Sequence, residues 1–183
     1  KKFSTKLKML SYSKNMGKGH AIKKGIFSSK SEWILTCDLD MSVLPEQYLI
    51  WCRRKLIKDV NCAYIASRKH KKSKIKSKFI RRRLGYIFRL ILVILFNIRI
   101  SDTQCGFKVY HKNYIKYVYK RMKIVRYAHD VEAILILQSK GIKIKELPVK
   151  WKHQSGSKIN IITDSFKMLL DLFILRLRLG LVK

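Results

Sequence analysis

The chain has 183 residues, of which 42 are Lys or Arg and 11 are Asp or Glu, so its formal net charge at pH 7 is +31. Hydrophobic residues make up 48% of the sequence, which is enough for the core of one ordinary domain and excludes a disordered basic tail. With 8 Gly, 2 Pro and 4 Cys, collagen-like, low-complexity and disulfide-scaffold classes are excluded too. The charge predicts an anionic partner: nucleic acid, an anionic membrane surface or a phosphorylated substrate.

Short apolar runs alternate with helical patterns along the first part of the chain. Residues 7–12 predict a strand, residues 17–27 predict a helix that begins at glycines, and residues 33–37 are typical of a buried parallel strand. Pro45 predicts the start of a helix that continues to residue 58, because proline suits the first helical turn. Residues 62–67 predict a second buried strand.

The same alternation continues to the end of the sequence. The elements predicted there are an apolar helix over 84–98, a short strand over 107–110, a helix over 130–139 ended by Gly141, a strand over 142–151, and a helix with a broad apolar face over 161–179. Strands that alternate with helices predict an α/β domain with a mostly parallel sheet flanked by helices. Ligands bind such sheets at the carboxyl ends of the strands.

Neither a membrane span nor a metal-binding cysteine pattern is visible. The longest apolar stretch, residues 90–96, lies between Arg89 and Arg99 and is far shorter than the roughly 18 residues that a bilayer requires. The first residues are basic and polar and do not resemble a signal peptide. Because no CxxC pair is present, we expect reduced and mostly buried thiols rather than a zinc site.

Two carboxylates follow the strand at 33–37. Asp38 and Asp40 lie at positions i and i+2 just beyond it, where the chain can turn and direct both at one point. There they can hold Mg²⁺ or Mn²⁺ through oxygen ligands, and Ser42 can add a further oxygen. The alternative is that these residues only cap and stabilise the helix that begins at Pro45.

A glycine-rich segment precedes the first helix. Asn15, Gly17, Lys18 and Gly19 lie where backbone N–H groups at a helix start can surround an anion. The spacing is not that of a Walker A loop. A plain turn with a solvated lysine is the alternative.

A basic run covers residues 68–83 and contains ten Lys or Arg side chains, among them Arg68, Arg82 and Arg83. It follows the strand at 62–67 and precedes the apolar helix at 84–98. One interpretation is a lid over phosphates or a segment on anionic lipid headgroups, with the helix lying in the membrane interface. The alternatives are a solvated loop followed by a core helix.

Three further polar stretches interrupt the apolar pattern. Residues 101–108 contain Asp102 and Gln104 between an apolar helix and a strand, which is typical of a site loop. Asp130 is expected to cap its helix, with Glu132 in the first turn. Residues 151–158 form a Gly/Ser loop in which Ser157 and Lys158 suit a phosphate clamp.

Taken together, these stretches match one family in order and spacing over nearly the whole chain, and residues 102–108 are the most specific. The chain resembles the family 2 glycosyltransferases of GT-A fold, and within them the dolichyl-phosphate β-glucosyltransferase group and its prokaryotic relatives. The segments that carry the resemblance are 15–21, 38–42, 66–68, 102–108, 130–132, 146–151 and 156–158.

The resemblance implies an inverting transfer of a sugar, with glucose expected, from a nucleotide diphosphate, with UDP expected, to a polyprenyl phosphate of the dolichyl type. The implied cofactor is Mg²⁺ or Mn²⁺. No strong general base is required, because a phosphate monoester is already anionic at neutral pH. Catalysis would then depend on positioning and charge neutralisation.

The family's functional residues are carried over only where the motifs match. The metal positions are Asp38, Asp40 and Ser42. The expected catalytic residues are Asp40, Arg68, Asp102 and Gln104. The expected nucleotide and phosphate contacts are Asn15, Gly17, Lys18, Gly19, Asp38, Arg82, Arg83, Ser157 and Lys158.

The opening strands of the family pattern, with their nucleotide-binding residues, have no counterpart in this sequence, which begins at about the third strand. We therefore expect an N-terminally truncated GT-A domain over residues 1–158 and a piece of a longer protein. Residues 159–183 are expected to form an amphipathic helix on the domain or the membrane surface. The expected location is the cytoplasmic face of a membrane.

Two other functions are weighed against the transferase. A basic nucleic-acid-binding module accounts for the charge and for the interleaved Tyr114, Tyr117, Tyr119 and Tyr127, but no RNP, zinc-finger or helix-turn-helix pattern supports it. We therefore expect no specific nucleic-acid partner. A truncated, non-catalytic membrane-surface protein would use residues 68–98 as its anchor.

Overall fold

The computed structural model describes residues 8–76, 79–154 and 161–180, with the backbone alone described at 76, 79–84 and 161–162. These residues form six helices and six strands. In chain order they are α1 (Lys18–Ser28), β1 (Trp33–Thr36), α2 (Glu46–Arg53), β2 (Cys62–Ser67), β3 (Lys74–Lys76), α3 (Phe79–Phe96), β4 (Lys108–His111), α4 (Lys112–Arg121), α5 (His129–Ser139), β5 (Lys143–Pro148), β6 (Lys150–Lys152) and α6 (Ile161–Gly180).

A four-stranded sheet with the order β1-β4-β2-β5 lies at the centre. Strands β2 and β5 are parallel, with Cys62 opposite Lys143, whereas β4 is antiparallel to both of its neighbours. Three of the four strands therefore run in one direction, and the α/β class is confirmed. The sheet is mixed, since one of its three pairings among the described residues is parallel and two are antiparallel. The antiparallel direction of β4 was not predicted, because a four-residue strand carries no sequence signal for its direction.

Strands β3 and β6 form a separate parallel pair, with Ile75 opposite Trp151. The prediction of one strand over residues 142–151 was therefore wrong. The chain leaves β5 at Val149, whose N–H donates to the Ser73 hydroxyl (2.9 Å) and whose carbonyl accepts from the Lys74 N–H (3.0 Å). These two bonds move the strand from the central sheet to β3.

Two other boundaries also differ from the prediction. Residues 8–12 form no strand, because no strand edge in the described part of the chain pairs with them. Helix α2 ends at Arg53 rather than residue 58, since Lys55 adopts a φ of 51° and the Leu56 N–H bonds back to the Trp51 carbonyl (3.0 Å). The short strand β3 and the helix α4 were not predicted.

The core lies on both faces of the sheet, and every residue of β2 is buried. On one face α1 and α4 pack around Ile115 and Val118, and α3, α5 and α6 pack together through Leu92, Val131 and Leu172. On the other face α2 packs through Trp51, in one cluster with Tyr64 of β2 and Phe107. No helix in the described part of the chain combines the length and the apolar character that crossing a bilayer requires.

Two of the four tyrosines that favoured nucleic-acid binding have a structural role. Tyr114 and Tyr119 are buried in the core under α4. The Tyr114 hydroxyl accepts from the His111 N–H (3.1 Å) and donates to the Cys62 carbonyl (3.0 Å), so it joins α4 to the sheet. These rings are not available to stack on bases, and the nucleic-acid alternative is not favoured.

Substitution of Ile65 by Ala should lower the free energy of unfolding by about 2–5 kcal/mol. Ile65 is fully buried on β2, between the strands that flank it and the helices α3, α5 and α6. The measurement is urea-induced unfolding followed by circular dichroism. The matched control is Ile94→Ala, because Ile94 is 72% exposed on α3 and its truncation should cost less than about 0.5 kcal/mol. Equal losses for the two variants would contradict this account of the core.

Candidate active site

A groove opens at the carboxyl ends of β1 and β2. Asp38 and Ser42 follow β1, Arg68 follows β2, and Gln104 precedes β4. Because β4 is antiparallel to β1 and β2, its beginning lies at the same edge of the sheet as their ends. This topology brings together residues that are far apart in the sequence, and Trp151 of β6 lines the groove as well.

Asp38 lies against Gly106 and binds a cationic side chain. A side chain at position 106 would collide with the Asp38 carboxylate, so only glycine allows this approach. The Lys18 ammonium, at the start of α1, lies 2.7 Å from Asp38 Oδ1. Burial lowers the pKa of Lys18, but Asp130 and Asp38 outweigh that effect and hold the pKa above its usual value. Lys18 therefore stays charged and neutralises the carboxylate.

Asp40 and Ser42 form a tight turn around Met41, whose φ is 53°. The Asp40 carboxylate accepts from the Ser42 N–H and from the Ser42 hydroxyl, both at 2.9 Å. Ser42 lines the groove, whereas Asp40 is exposed beside it. The predicted metal residues Asp38 and Ser42 thus share the groove, and Asp40 contacts it through Ser42.

Arg68 is held by Asp102. The guanidinium donates from Nε to Oδ2 (2.7 Å) and from Nη2 to Oδ1 (2.8 Å), and the Arg68 backbone N–H donates to Oδ2 as well (2.8 Å). Burial raises the pKa of Asp102, but the bonds from Arg68 outweigh it and the pKa lies below its usual value. The guanidinium also lies 5.7 Å from the centre of the Trp151 ring, within the range of a cation–π contact.

Asp102 and Gln104 were predicted to line one site, but the structure gives them different roles. Asp102 is buried behind Arg68, and both of its carboxylate oxygens are occupied by that side chain. Gln104 lines the groove, and its Nε2 is buried without a hydrogen-bond partner among the described residues. Of the two, Gln104 is the one that offers a hydrogen bond to a ligand.

The glycine-rich segment packs against the chain before α5. The Gly17 N–H bonds to Asn15 Oδ1 (2.9 Å), and the Gly19 N–H bonds to the Val125 carbonyl (2.7 Å). These two donors are occupied, so the anion cradle that we expected from them is not formed in this structure. The glycines allow close packing instead, since Gly17 has a φ of 92° and Gly19 contacts His129.

A buried charge cluster beneath the groove was missed at the sequence level. Lys108 Nζ lies 2.5 Å from Asp130 Oδ1, both side chains are almost fully buried, and His129 Nε2 lies 3.5 Å from the same oxygen. Burial raises the pKa of Asp130, but His129, Lys108 and Lys18 together hold it below its usual value. A lysine within the otherwise apolar run 107–110 was the only available signal.

The prediction that Asp130 caps α5 was wrong. Ala128 is the N-cap and Asp130 lies within the first turn, where its carboxylate pairs with Lys108. Glu132 binds the backbone N–H groups of Lys123 and Ile124. The structure describes only the backbone at Arg82 and Arg83, and Ser157 and Lys158 lie outside the described residues.

A mixed α/β sheet, with Asp38 two residues beyond β1 and a held arginine directly after β2, is consistent with a GT-A type glycosyltransferase fold. The chain is 34% identical to the human dolichyl-phosphate β-glucosyltransferase, in an alignment that covers 96% of the chain and 56% of the human protein. It is 33% identical to the dolichyl-phosphate β-glucosyltransferase of Saccharomyces cerevisiae, in an alignment that covers 93% of the chain and 54% of the yeast protein. It is 30% identical to that of Dictyostelium discoideum, with 96% of the chain and 55% of the Dictyostelium protein covered.

The chain is therefore related in sequence to the dolichyl-phosphate β-glucosyltransferases of glycosyltransferase family 2, which confirms the resemblance seen in its motifs. It spans about half the length of the curated relatives it matches. No family model matches the chain.

The Asp102→Asn variant should be less stable than the native chain at about pH 7, and this difference should shrink as the pH falls. The folded state lowers the pKa of Asp102, so its contribution is present above the ordinary carboxyl pKa of 3.8 and is lost as the pH falls through the lower, folded-state value. Urea unfolding of both chains at about pH 7 and about pH 3 measures the difference. A difference that is the same at both pH values would show that the carboxylate charge is not what stabilises the pair.

Proposed function

We propose that this protein transfers glucose from UDP-glucose to a polyprenyl phosphate of the dolichyl type, with inversion at the sugar, at the cytoplasmic face of a membrane. The observation that carries the proposal is the groove itself. It holds a carboxylate (Asp38), a fixed guanidinium (Arg68) and an unpartnered amide (Gln104) at the strand ends where such sheets bind ligands. The names of the relatives supply the substrate class.

For the donor, Asp38 and Asp40 would hold Mg²⁺ or Mn²⁺, with Ser42 beside them. The Lys18 ammonium lies 2.7 Å from Asp38, so this carboxylate already attracts one cationic group, which supports a cation position beside it. The described residues contain no cluster of three or more His, Cys, Asp and Glu side chains. Two carboxylates fit a cation that takes its remaining ligands from water and substrate phosphates, as Mg²⁺ commonly does. When bound, such an ion neutralises charge on the leaving diphosphate.

For the acceptor, Arg68 would bind the phosphate. The Nε and Nη2 groups of Arg68 donate to Asp102, whereas Nη1 takes no part in that ion pair. An acceptor phosphate oxygen attacks the anomeric carbon, the bond from that carbon to the diphosphate oxygen breaks, and UDP leaves. The acceptor carries its own negative charge, so positioning and charge neutralisation supply the catalysis.

An apolar surface of the protein that suits the lipid tail of the acceptor lies next to the position proposed for its phosphate. Lys69 follows Arg68, donates to the Gly85 carbonyl (3.4 Å) and lies 6.0 Å from the centre of the Tyr86 ring on α3. Helix α3 continues from there with an exposed apolar face that includes Ile87, Leu90 and Ile94. The prenyl chain of the acceptor would lie along this face, with its phosphate at Arg68.

We propose an anionic membrane surface as a further partner, contacted by α3 and α6. Helix α6 buries Leu172 and Leu175 against the domain and exposes Phe166, Phe173 and Leu177 on other faces. Its Arg176 and Arg178 are exposed as well. A helix with exposed aromatic and basic side chains binds in the headgroup region of anionic membranes, and the net charge of +31 adds to the attraction.

The donor site is tested by calorimetric titration of UDP-glucose into the full chain, with Mn²⁺ and with EDTA. We expect binding that requires the metal, and affinity at least about tenfold weaker in the Asp38→Asn variant. The control is Asp59→Asn, at an exposed turn before β2 and outside the groove. If Asp38→Asn and the native chain bind equally well with Mn²⁺, the metal assignment is wrong.

The membrane surface is tested by flotation with vesicles that contain phosphatidylserine. Changing both Phe166 and Phe173 to Ser removes two side chains that are 70% and 57% exposed, and should lower the partition coefficient by about tenfold or more. The control is Val60→Ser, which removes an exposed apolar side chain at the opposite end of β2. Unchanged partition of the double variant would exclude α6 from the membrane contact.

A further inference from the structure

We propose that Glu146 is a positioning residue that fixes the orientation of Arg68 in the groove, acting through Ser101 and Asp102. Glu146 lies on β5, opposite Ile65 of β2, and does not line the groove. The proposal concerns the geometry of Arg68. Only the identity of the anion that Arg68 binds depends on the proposed function.

The first link is the bond set between β5 and the segment after α3. Glu146 Oε2 accepts from the Ser101 N–H (3.0 Å), and Oε1 accepts from the Asp102 N–H (3.1 Å) and from the Ser101 hydroxyl. The Ser101 hydroxyl also lies 3.1 Å from that of Ser67, the last residue of β2. One carboxylate thus binds two successive backbone N–H groups of a segment that has no regular secondary structure.

The second link runs from that segment to the groove. Because the backbone N–H of Asp102 is bound to Glu146, the Asp102 carboxylate has a fixed position relative to the sheet. That carboxylate receives three bonds of 2.7–2.8 Å from Arg68, two of them from the guanidinium. The two-point contact sets the plane of the guanidinium as well as its location. Arg68 therefore takes its orientation from Glu146 through two sets of hydrogen bonds.

The carboxylate is required at position 146 because the three groups that face it are all donors. A glutamate accepts from all three, whereas a glutamine amide would direct donor hydrogens at one or more of them. The chain has only 11 acidic residues, and the Glu146 carboxylate binds the backbone N–H of a second one, Asp102.

The first test measures Arg68 directly in the ¹⁵N-labelled full chain. The Nε–H signal of Arg68, assigned by its loss in Arg68→Lys, should exchange with solvent slowly in the native chain and at least about tenfold faster in Glu146→Gln. Ser101→Ala, which removes one of the three donors, should give a smaller change in the same direction and serves if Glu146→Gln does not fold. The control is Lys145→Gln, at an exposed neighbour on the same strand. Unchanged exchange in both folded variants would overturn the proposal.

The second test links the geometry to anion binding, with inorganic phosphate as the probe for the acceptor phosphate assigned to Arg68. Glu146→Gln should weaken phosphate binding by about tenfold in the native background and have little further effect once Arg68 is changed to Gln, as a double-mutant cycle measures. Equal weakening in both backgrounds would show that Glu146 does not act through Arg68. If the native chain binds no phosphate, the assignment of Arg68 to the acceptor fails, and the exchange measurement alone decides the role of Glu146.

Discussion

The ion pair between Arg68 and Asp102 is the interaction on which the groove depends. It joins the end of β2 to the segment between α3 and β4, and Glu146 of β5 binds the backbone of that segment. A buried carboxylate is costly unless its oxygens are satisfied, and here backbone and guanidinium donors satisfy both. The same bonds that offset the free-energy cost of burying Asp102 also hold the Arg68 guanidinium in the lining of the groove.

The few acidic residues organise the site, while most of the positive charge faces solvent. Asp38 binds Lys18, Asp102 binds Arg68, and Asp130 binds Lys108 beneath them. Asp130 and Asp38 both raise the pKa of Lys18, so one ammonium group interacts with a buried and with a half-buried carboxylate. A substrate with a diphosphate would enter a groove in which the cations are already oriented by carboxylates, and preorganised charge of this kind stabilises developing charge at little reorganisation cost.

The apolar surface of the two long helices fits the same picture. Helices α3 and α6 bury one side against the domain and expose Leu90, Ile94, Phe166 and Phe173. Lys69, next to Arg68, contacts the first half of α3, so this surface begins beside the arginine of the groove. The lipid-linked phosphate that we propose as acceptor needs a polar site and an apolar surface next to each other, and the proposal places its phosphate at Arg68 and its lipid along α3.

The sequence by itself determined the α/β class, the strand β1, the buried strand β2, the helices α1, α5 and α6, and the strand-end positions of Asp38 and Arg68. Local periodicity and the order of motifs carry that information. The prediction that β1 is a buried parallel strand was wrong, since only Ile34 of β1 is buried and its pairing with β4 is antiparallel. Only the tertiary structure decided the antiparallel direction of β4, the exchange of strand partners at Val149, and the burial of Lys108 with Asp130. It also placed Asp102 behind Arg68 and Glu146 behind Asp102. These features depend on contacts between residues from 22 to 78 positions apart, and no local pattern records such a contact.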